Sequence, residues 1–220
     1  MTETEIERLD SYVCNYLSLH YNHHLKDIID GYSKAKGIEQ EFNIQAIGAG
    51  ISRRVFKRKY SNRVYKIGNP SCNKSEWAFW NAAKPYNISK LLAKCYKISK
   101  NGYVLQQEYV PNKLEIQSFD HFTLGDRLNE LFRFLELELK NKVAFCPDFH
   151  EDNINITSKS DLKIVDYGSM LEGFFNKNKD SVGKNLIRQL QNIFRKHDEE
   201  ISCYINEEGN AVLNGQEVCL

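Results

Sequence analysis

Asp148, Asn153 and Asp166 are the residues whose types and spacing best suit chemistry in this 220-residue chain. The stretch VAFCPDFHEDNINI, residues 143 to 156, runs from an apolar segment through Pro147 into Asp148, His150, Glu151, Asp152 and Asn153. Polarity then gives way to Ile154, Asn155 and Ile156, which alternate like a short strand. Charge that crowded beside a core is costly unless a cation is meant to sit there. Asp166 lies 18 residues after Asp148, behind Ile164-Val165 and ahead of Tyr167-Gly168. Phosphoryl transfer from a nucleotide needs such a layout: one carboxylate orients the attacking hydroxyl and accepts its proton. An Asn and a second carboxylate can hold magnesium, a hard ion that takes oxygen ligands and shares its shell with phosphates.

The first half supplies matching parts. Gly48-Ala49-Gly50 lies between two strand-like segments, where backbone can approach phosphates closely. Lys66, in Val64-Tyr65-Lys66-Ile67, stands 18 residues past Gly48, and Glu76 opens the helix expected next. In this order the segments resemble the protein-kinase-like fold: a Gly-rich loop, a strand lysine, a helix glutamate, a catalytic loop and a D-F-G-type magnesium loop. The resemblance spans roughly residues 42 to 170. It implies an α+β, bilobal protein with a β-rich first lobe and a reduced α-rich second lobe.

Carried over residue by residue, the resemblance implies ATP and Mg²⁺ as cofactors. Gly48 and Gly50 would cover the phosphates, and Val55 would pack on the adenine. Lys66 would contact the α- and β-phosphates while Glu76 holds it. Gln107-Glu108-Tyr109-Val110 resembles the linker between lobes, with Glu108 and Val110 facing adenine. Asp148 would be the catalytic base, and Asn153 and Asp166 the magnesium ligands. His150 occupies the place where most protein kinases have a lysine. Asp-x-His-x-x-Asn is similar to the pattern of aminoglycoside and choline kinases, and of some kinase-like proteins of phages and bacteria.

The chain also departs from the family's pattern. Cys146-Pro147 replaces the usual His-Arg, Arg53 stands where the third loop glycine is usual, and Tyr167 replaces the Phe of D-F-G. No Ala-Pro-Glu follows, and only 52 residues come after Gly168, too few for a standard second lobe.

The elements that must position these residues can be read from periodicity. Ile6, Leu9, Val13, Tyr16, Leu17 and His20 recur at helical spacing. A strand is predicted from Phe42 to Ile47, and Val55-Phe56-Lys57 and Val64 to Ile67 form strands around a turn at 60–63. Asn69-Pro70-Ser71 precedes a helix whose Trp77, Phe79 and Trp80 are expected in the core. Strands at 95–98 and 103–109 flank the Asn101-Gly102 turn. After Pro111, the expected hinge, helices are predicted at 124–140 and 180–197, a strand at 162–165 and a hairpin around 208–210. The expected domains are a helical extension over 1–40, the first lobe over 41–110 and the second over 111–220.

Composition narrows the class. Apolar residues make up 41% and charged residues 27%, as in a folded globular chain, and a net charge of +1 indicates no global pull toward nucleic acid. The six cysteines include no C-x-x-C pair, and free thiols in a reducing cytoplasm are expected. No signal-peptide pattern opens the chain and no run reaches transmembrane length, so a cytoplasmic protein is expected, with no membrane partner. His20, His23 and His24 share helical spacing but lack an acid or Cys partner on that face. The basic run from Arg53 to Lys59 is read as a solvated face. Glu76, three residues after Asn73, could alternatively be a helix-capping residue. The expected function is an ATP-dependent phosphotransferase acting on Ser or Thr of a protein. A small-molecule acceptor and a kinase-like binding module without turnover are the alternatives.

Overall fold

The structure, a computed structural model, describes residues 1–19, 37–50, 52–85, 87–111, 153–156, 162–167, 203–205, 211–213 and 216–218. The chain is mixed α/β, and its N-terminal part is built on an antiparallel sheet. Two units are distinguished, residues 1–78 with 94–109, and residues 79–93 with 110–220.

In the first unit, helix α1 (Glu3–Leu19) starts at a reciprocal cap. Glu5 N–H donates to Thr2 Oγ1 (3.2 Å) and Thr2 N–H donates to the Glu5 carboxylate (2.6 Å). The helical spacing read from the sequence places Ile6, Leu9 and Val13 in the core, and all three are buried. Each contributes roughly 1.5–3 kcal/mol by leaving water. Asp10, on the same helix, is buried and accepts from Ser99 Oγ (2.5 Å), Asn101 N–H (3.0 Å) and Tyr103 N–H (3.0 Å). It thereby fixes the turn that the Asn101-Gly102 signal predicts, with Gly102 at φ 89°.

The strand expected from Phe42 begins later. Phe42 is instead the buried last residue of helix α2 (Ile38–Phe42), and Asn43, left-handed at φ 50°, ends that helix. Strands β1 (Gln45–Ala49), β2 (Arg53–Lys57), β3 (Arg63–Gly68), β4 (Cys95–Ile98) and β5 (Val104–Glu108) follow. They form one antiparallel sheet in the order β1-β2-β3-β5-β4. Alternation divides its residues between two faces. Phe56, Tyr65, Ile67 and Val104 join α1 and α2 in one core. On the opposite face Val55, Lys66 and Leu105 form a row across three strands.

Helix α3 (Pro70–Ala83) begins with proline at its first position, where the missing N–H is no loss. The Asn69 side chain accepts from Ser71 N–H at 2.8 Å. Phe79 and Trp80 are buried as expected, whereas Trp77 is half-buried.

In the second unit, β6 (Ile154–Ile156) pairs antiparallel with β7 (Leu162–Ile164), with Ile154 opposite Ile164. Segment 91–93 runs beside β7, joined by Ile164 N–H to Leu91 O (2.7 Å) and Ala93 N–H to Ile164 O (2.9 Å). Strands β8 (Cys203–Ile205) and β9 (Ala211–Leu213) make the hairpin expected around 208–210. A third strand, β10 (Gln216–Val218), pairs with β9 and was not anticipated. The helices expected at 124–140 and 180–197, and the histidines at 20, 23 and 24, lie outside the described residues. Among the described residues no helix is long and apolar enough to cross a membrane.

Candidate functional site

Lys66 and Glu76 meet in the first unit, one from the centre of β3 and the other from the second turn of α3. Lys66 Nζ donates to both Glu76 oxygens, at 2.7 and 3.0 Å. Glu76 has no solvent exposure and Lys66 only 4%. Because α3 starts at Pro70, Glu76 stands inside the helix and the capping alternative falls away.

Two further side chains complete the coordination of this carboxylate. Gln107, from β5, donates its amide to Oε1 at 2.7 Å. Arg53, from the first position of β2, donates to Oε2 at 2.6 Å. The same Arg53 nitrogen also reaches Asn73 Oδ1 at 3.1 Å, and Asn73 Nδ2 donates to Gly102 O at 2.8 Å. Arg53 is buried, so the solvated reading of the basic run is corrected at its most important member. Parity explains the burial: Arg53 lies two residues before Val55, and a strand places alternate residues on one face. Farther along, Arg58 pairs with Glu5 (3.1 Å), and Lys57 lies 3.5 Å from the Tyr109 ring centroid. Lys59 and Tyr60 remain exposed at the hairpin tip.

Two cations therefore share one buried anion. Burial pushes the Lys66 ammonium down to about 8, with Arg53 adding to that effect and Glu76 opposing it. For Glu76, burial alone would raise the carboxyl, but Lys66, Arg53 and the hydrogen bonds from Lys66 and Gln107 hold it at about 2. The charged form is thus favoured for Glu76 and disfavoured for Lys66. At Lys66 burial outweighs the attraction of the carboxylate, while at Glu76 the cations and hydrogen bonds together outweigh burial.

Gly48 and Gly50 flank this face from β1 and the turn after it. Gly48 pairs with Val55 beside a β-bulge, and Gly50 N–H closes the turn onto Arg53 O at 2.8 Å. A Cβ at either glycine would meet only ordinary contacts, at 3.9 and 3.7 Å, and neither has a positive φ. Packing within the described residues does not require glycine at these positions. Gly68 is different: a Cβ there would lie 2.3 Å from Ser52 O and 2.8 Å from Arg53 Cα. Val55 is half-buried opposite Lys66. Glu108 is half-buried at the end of β5, its N–H given to Lys94 O (2.8 Å) and its carboxylate accepting from Lys94 N–H (3.0 Å).

In the second unit, Asn153 and Asp166 lie at the same end of the β6–β7 ribbon. Val165 N–H donates to Asn153 O at 2.7 Å, so the pairing continues one step past the ribbon and ends at Asp166. Asn153 is buried, and Asp166 is half-buried with a left-handed φ of 55°. That conformation is uncommon for a residue with a side chain and persists where the surroundings impose it. Val165 is fixed on one side; on the other, buried Tyr167 donates its hydroxyl to Ala93 O (2.7 Å) and packs 5.4 Å from the Phe79 ring. Asn155 donates its amide to Val110 O at 3.1 Å, tying Val110 to the same ribbon. Asp148 and His150 lie outside the described residues.

Arg53, Asn73, Gln107 and Gly68 were not among the expected site residues. The strand alternation of Arg53 with Val55 was the available signal for the first, and no comparable signal marks the others.

No family model matches the chain, and no curated protein matches its sequence. Among solved structures it is similar to the kinase PK-1 of the Cydia pomonella granulovirus, at 17% identity and a TM-score of 0.40, covering 81% of this chain and 76% of that one.

Proposed function

We propose that the protein is an ATP- and magnesium-dependent phosphotransferase of the protein-kinase-like fold, transferring phosphate to Ser or Thr of a protein. The observation that carries this reading is the buried Lys66–Glu76 pair, joined by Arg53, on the face that Gly48 and Gly50 border. A strand lysine held in place by a buried carboxylate suits an anionic ligand, and two glycines that packing does not demand suit close approach of phosphates. Asn153 and Asp166 supply oxygen donors of the kind magnesium takes, from the same end of one ribbon. When bound, magnesium neutralises charge on the phosphates.

In this reading Lys66 grips the phosphates, Glu76 holds Lys66, and Asp166 keeps its position through the anchors at Val165 and Tyr167. Asp148 accepts the proton of the attacking hydroxyl, and His150 follows it two residues on in the sequence. Glu108 and Val110 border the adenine.

Thermal unfolding with and without ATP and magnesium tests the proposal, using the parent and Asp166→Asn. Ligand at 100 times its dissociation constant should stabilise by about 2.7 kcal/mol. A rise in the parent that Asp166→Asn loses supports the nucleotide site, and no rise at millimolar ATP refutes it. Transfer of labelled phosphate to protein, absent in Asp148→Asn, then separates an enzyme from a binding module.

A further inference from the structure

We propose that Arg53 is a positioning residue, which holds Glu76, and through it Lys66, while fastening the end of the Gly48–Gly50 turn to α3. This inference deepens the nucleotide reading and rests on it for its functional consequence.

Three observations in one unit converge on Arg53. Its guanidinium bridges Glu76 Oε2 and Asn73 Oδ1, at 2.6 and 3.1 Å, from a buried position. Its carbonyl accepts from Gly50 N–H at 2.8 Å, so one residue joins the glycine turn to the helix. Its backbone passes so close to β3 that Gly68 alone of the common residues leaves room: an added Cβ would approach Arg53 Cα to 2.8 Å and Cγ to 3.2 Å. The nearest atom to such a Cβ is Ser52 O at 2.3 Å, so glycine at 68 lets the backbone that carries Arg53 lie against β3.

The consequence concerns how Lys66 is held. Lys66 bonds both Glu76 oxygens, and Gln107 and Arg53 each take one. If Lys66 turned toward an incoming phosphate, Glu76 would keep Arg53 and Gln107 as partners and stay in place. Burial lowers the Lys66 ammonium most, Glu76 and Cys95 favour its charge, and Arg53 opposes it. Arg53 therefore adds, through its charge, to the lowering that burial imposes on Lys66, as a purely structural side chain would not.

The test follows the Lys66 amine by NMR of lysine labelled with ¹³C at Cε, its signal assigned by its loss in Lys66→Met. Arg53→Met and Arg53→Gln should raise the Lys66 titration by roughly one pH unit or more. Arg53→Lys, which keeps the charge, should hold it near the parent value. Gly68→Ala, by unseating Arg53, should shift it as Arg53→Met does. An unchanged titration in Arg53→Gln, or a shift in Arg53→Lys as large as in Arg53→Met, overturns the proposal. Should Arg53→Met fail to fold, the Gln and Lys variants decide alone. The titration needs no nucleotide, so an absent response of the parent to ATP would refute the nucleotide reading separately.

Discussion

Removing the anion from the buried cluster should cost far more than removing one of its cations. Glu76→Gln leaves Lys66 and Arg53, each with a side chain only 5% exposed, without a carboxylate between them. Loss of one partner of a buried ion pair costs about 3–5 kcal/mol. Lys66→Met instead leaves Glu76 with Arg53 and the Gln107 hydrogen bond. The fall of Lys66 from 10.5 to about 8 means that its charged form is disfavoured in the fold by about 3 kcal/mol. Relief of that penalty offsets the two lost hydrogen bonds, and the variant should lie within about 1 kcal/mol of the parent. Urea unfolding at pH 7, with equal denaturant slopes as the control, measures both. The pH dependence has a definite sign. Between pH 8 and 10.5 the unfolded chain holds more protons at Lys66 than the folded one, so parent stability should gain a rising contribution there that Lys66→Met lacks. The Glu76 contribution is complete above pH 4.5 and disappears as pH falls toward 2. If Lys66→Met destabilised as much as Glu76→Gln, the argument from the buried Lys66 charge would be wrong.

Three other outcomes are expected. Gly48→Ala and Gly50→Ala should unfold within about 1 kcal/mol of the parent yet bind ATP–magnesium more weakly, whereas Gly68→Ala should lose more than about 1 kcal/mol; equal losses at all three positions would contradict the contact geometry. Asp10→Ala should cost roughly 3 kcal/mol in urea unfolding, because Ser99 Oγ and two turn N–H groups lose a buried acceptor; a loss below about 1 kcal/mol would count against this role. ATP–magnesium affinity, measured calorimetrically, should weaken by up to about tenfold per pH unit above 8 as Lys66 loses its proton, and a flat profile from pH 7.5 to 9.5 would separate Lys66 from the phosphates.

The first unit was readable where local chemistry and long-range packing agree. Ile6, Leu9 and Val13 repeat at the helical period because one stripe of α1 covers the sheet. Asn101-Gly102 announces its hairpin because Gly102 takes a left-handed φ that other residues resist. Phe42 was misplaced because an apolar residue beside Ile44 fits strand alternation equally well. The deciding residue is Asn43, whose left-handed conformation ends α2 and redirects the chain into β1. Local pattern could not show that Phe42 fills the core from a helix rather than from a strand.

The site divides along a similar line. Lys66 and Glu76 were legible because their spacing fits a strand followed by a helix, and the structure brings them within 2.7 Å. Arg53 was hidden by its neighbours: in a run of five cations within seven residues, charge density suggests solvent for all of them. Strand parity gives a different answer for each residue, sending Arg53 to the face of Lys66 while Arg58, beyond the strand, turns to Glu5. Burying that guanidinium is tolerable because acceptors such as Glu76 and Asn73 receive it. Arg53 therefore does more than close the turn that follows Gly50. It places a second cation on the carboxylate that holds Lys66, and makes that lysine easier to deprotonate than a simple one-to-one pair would.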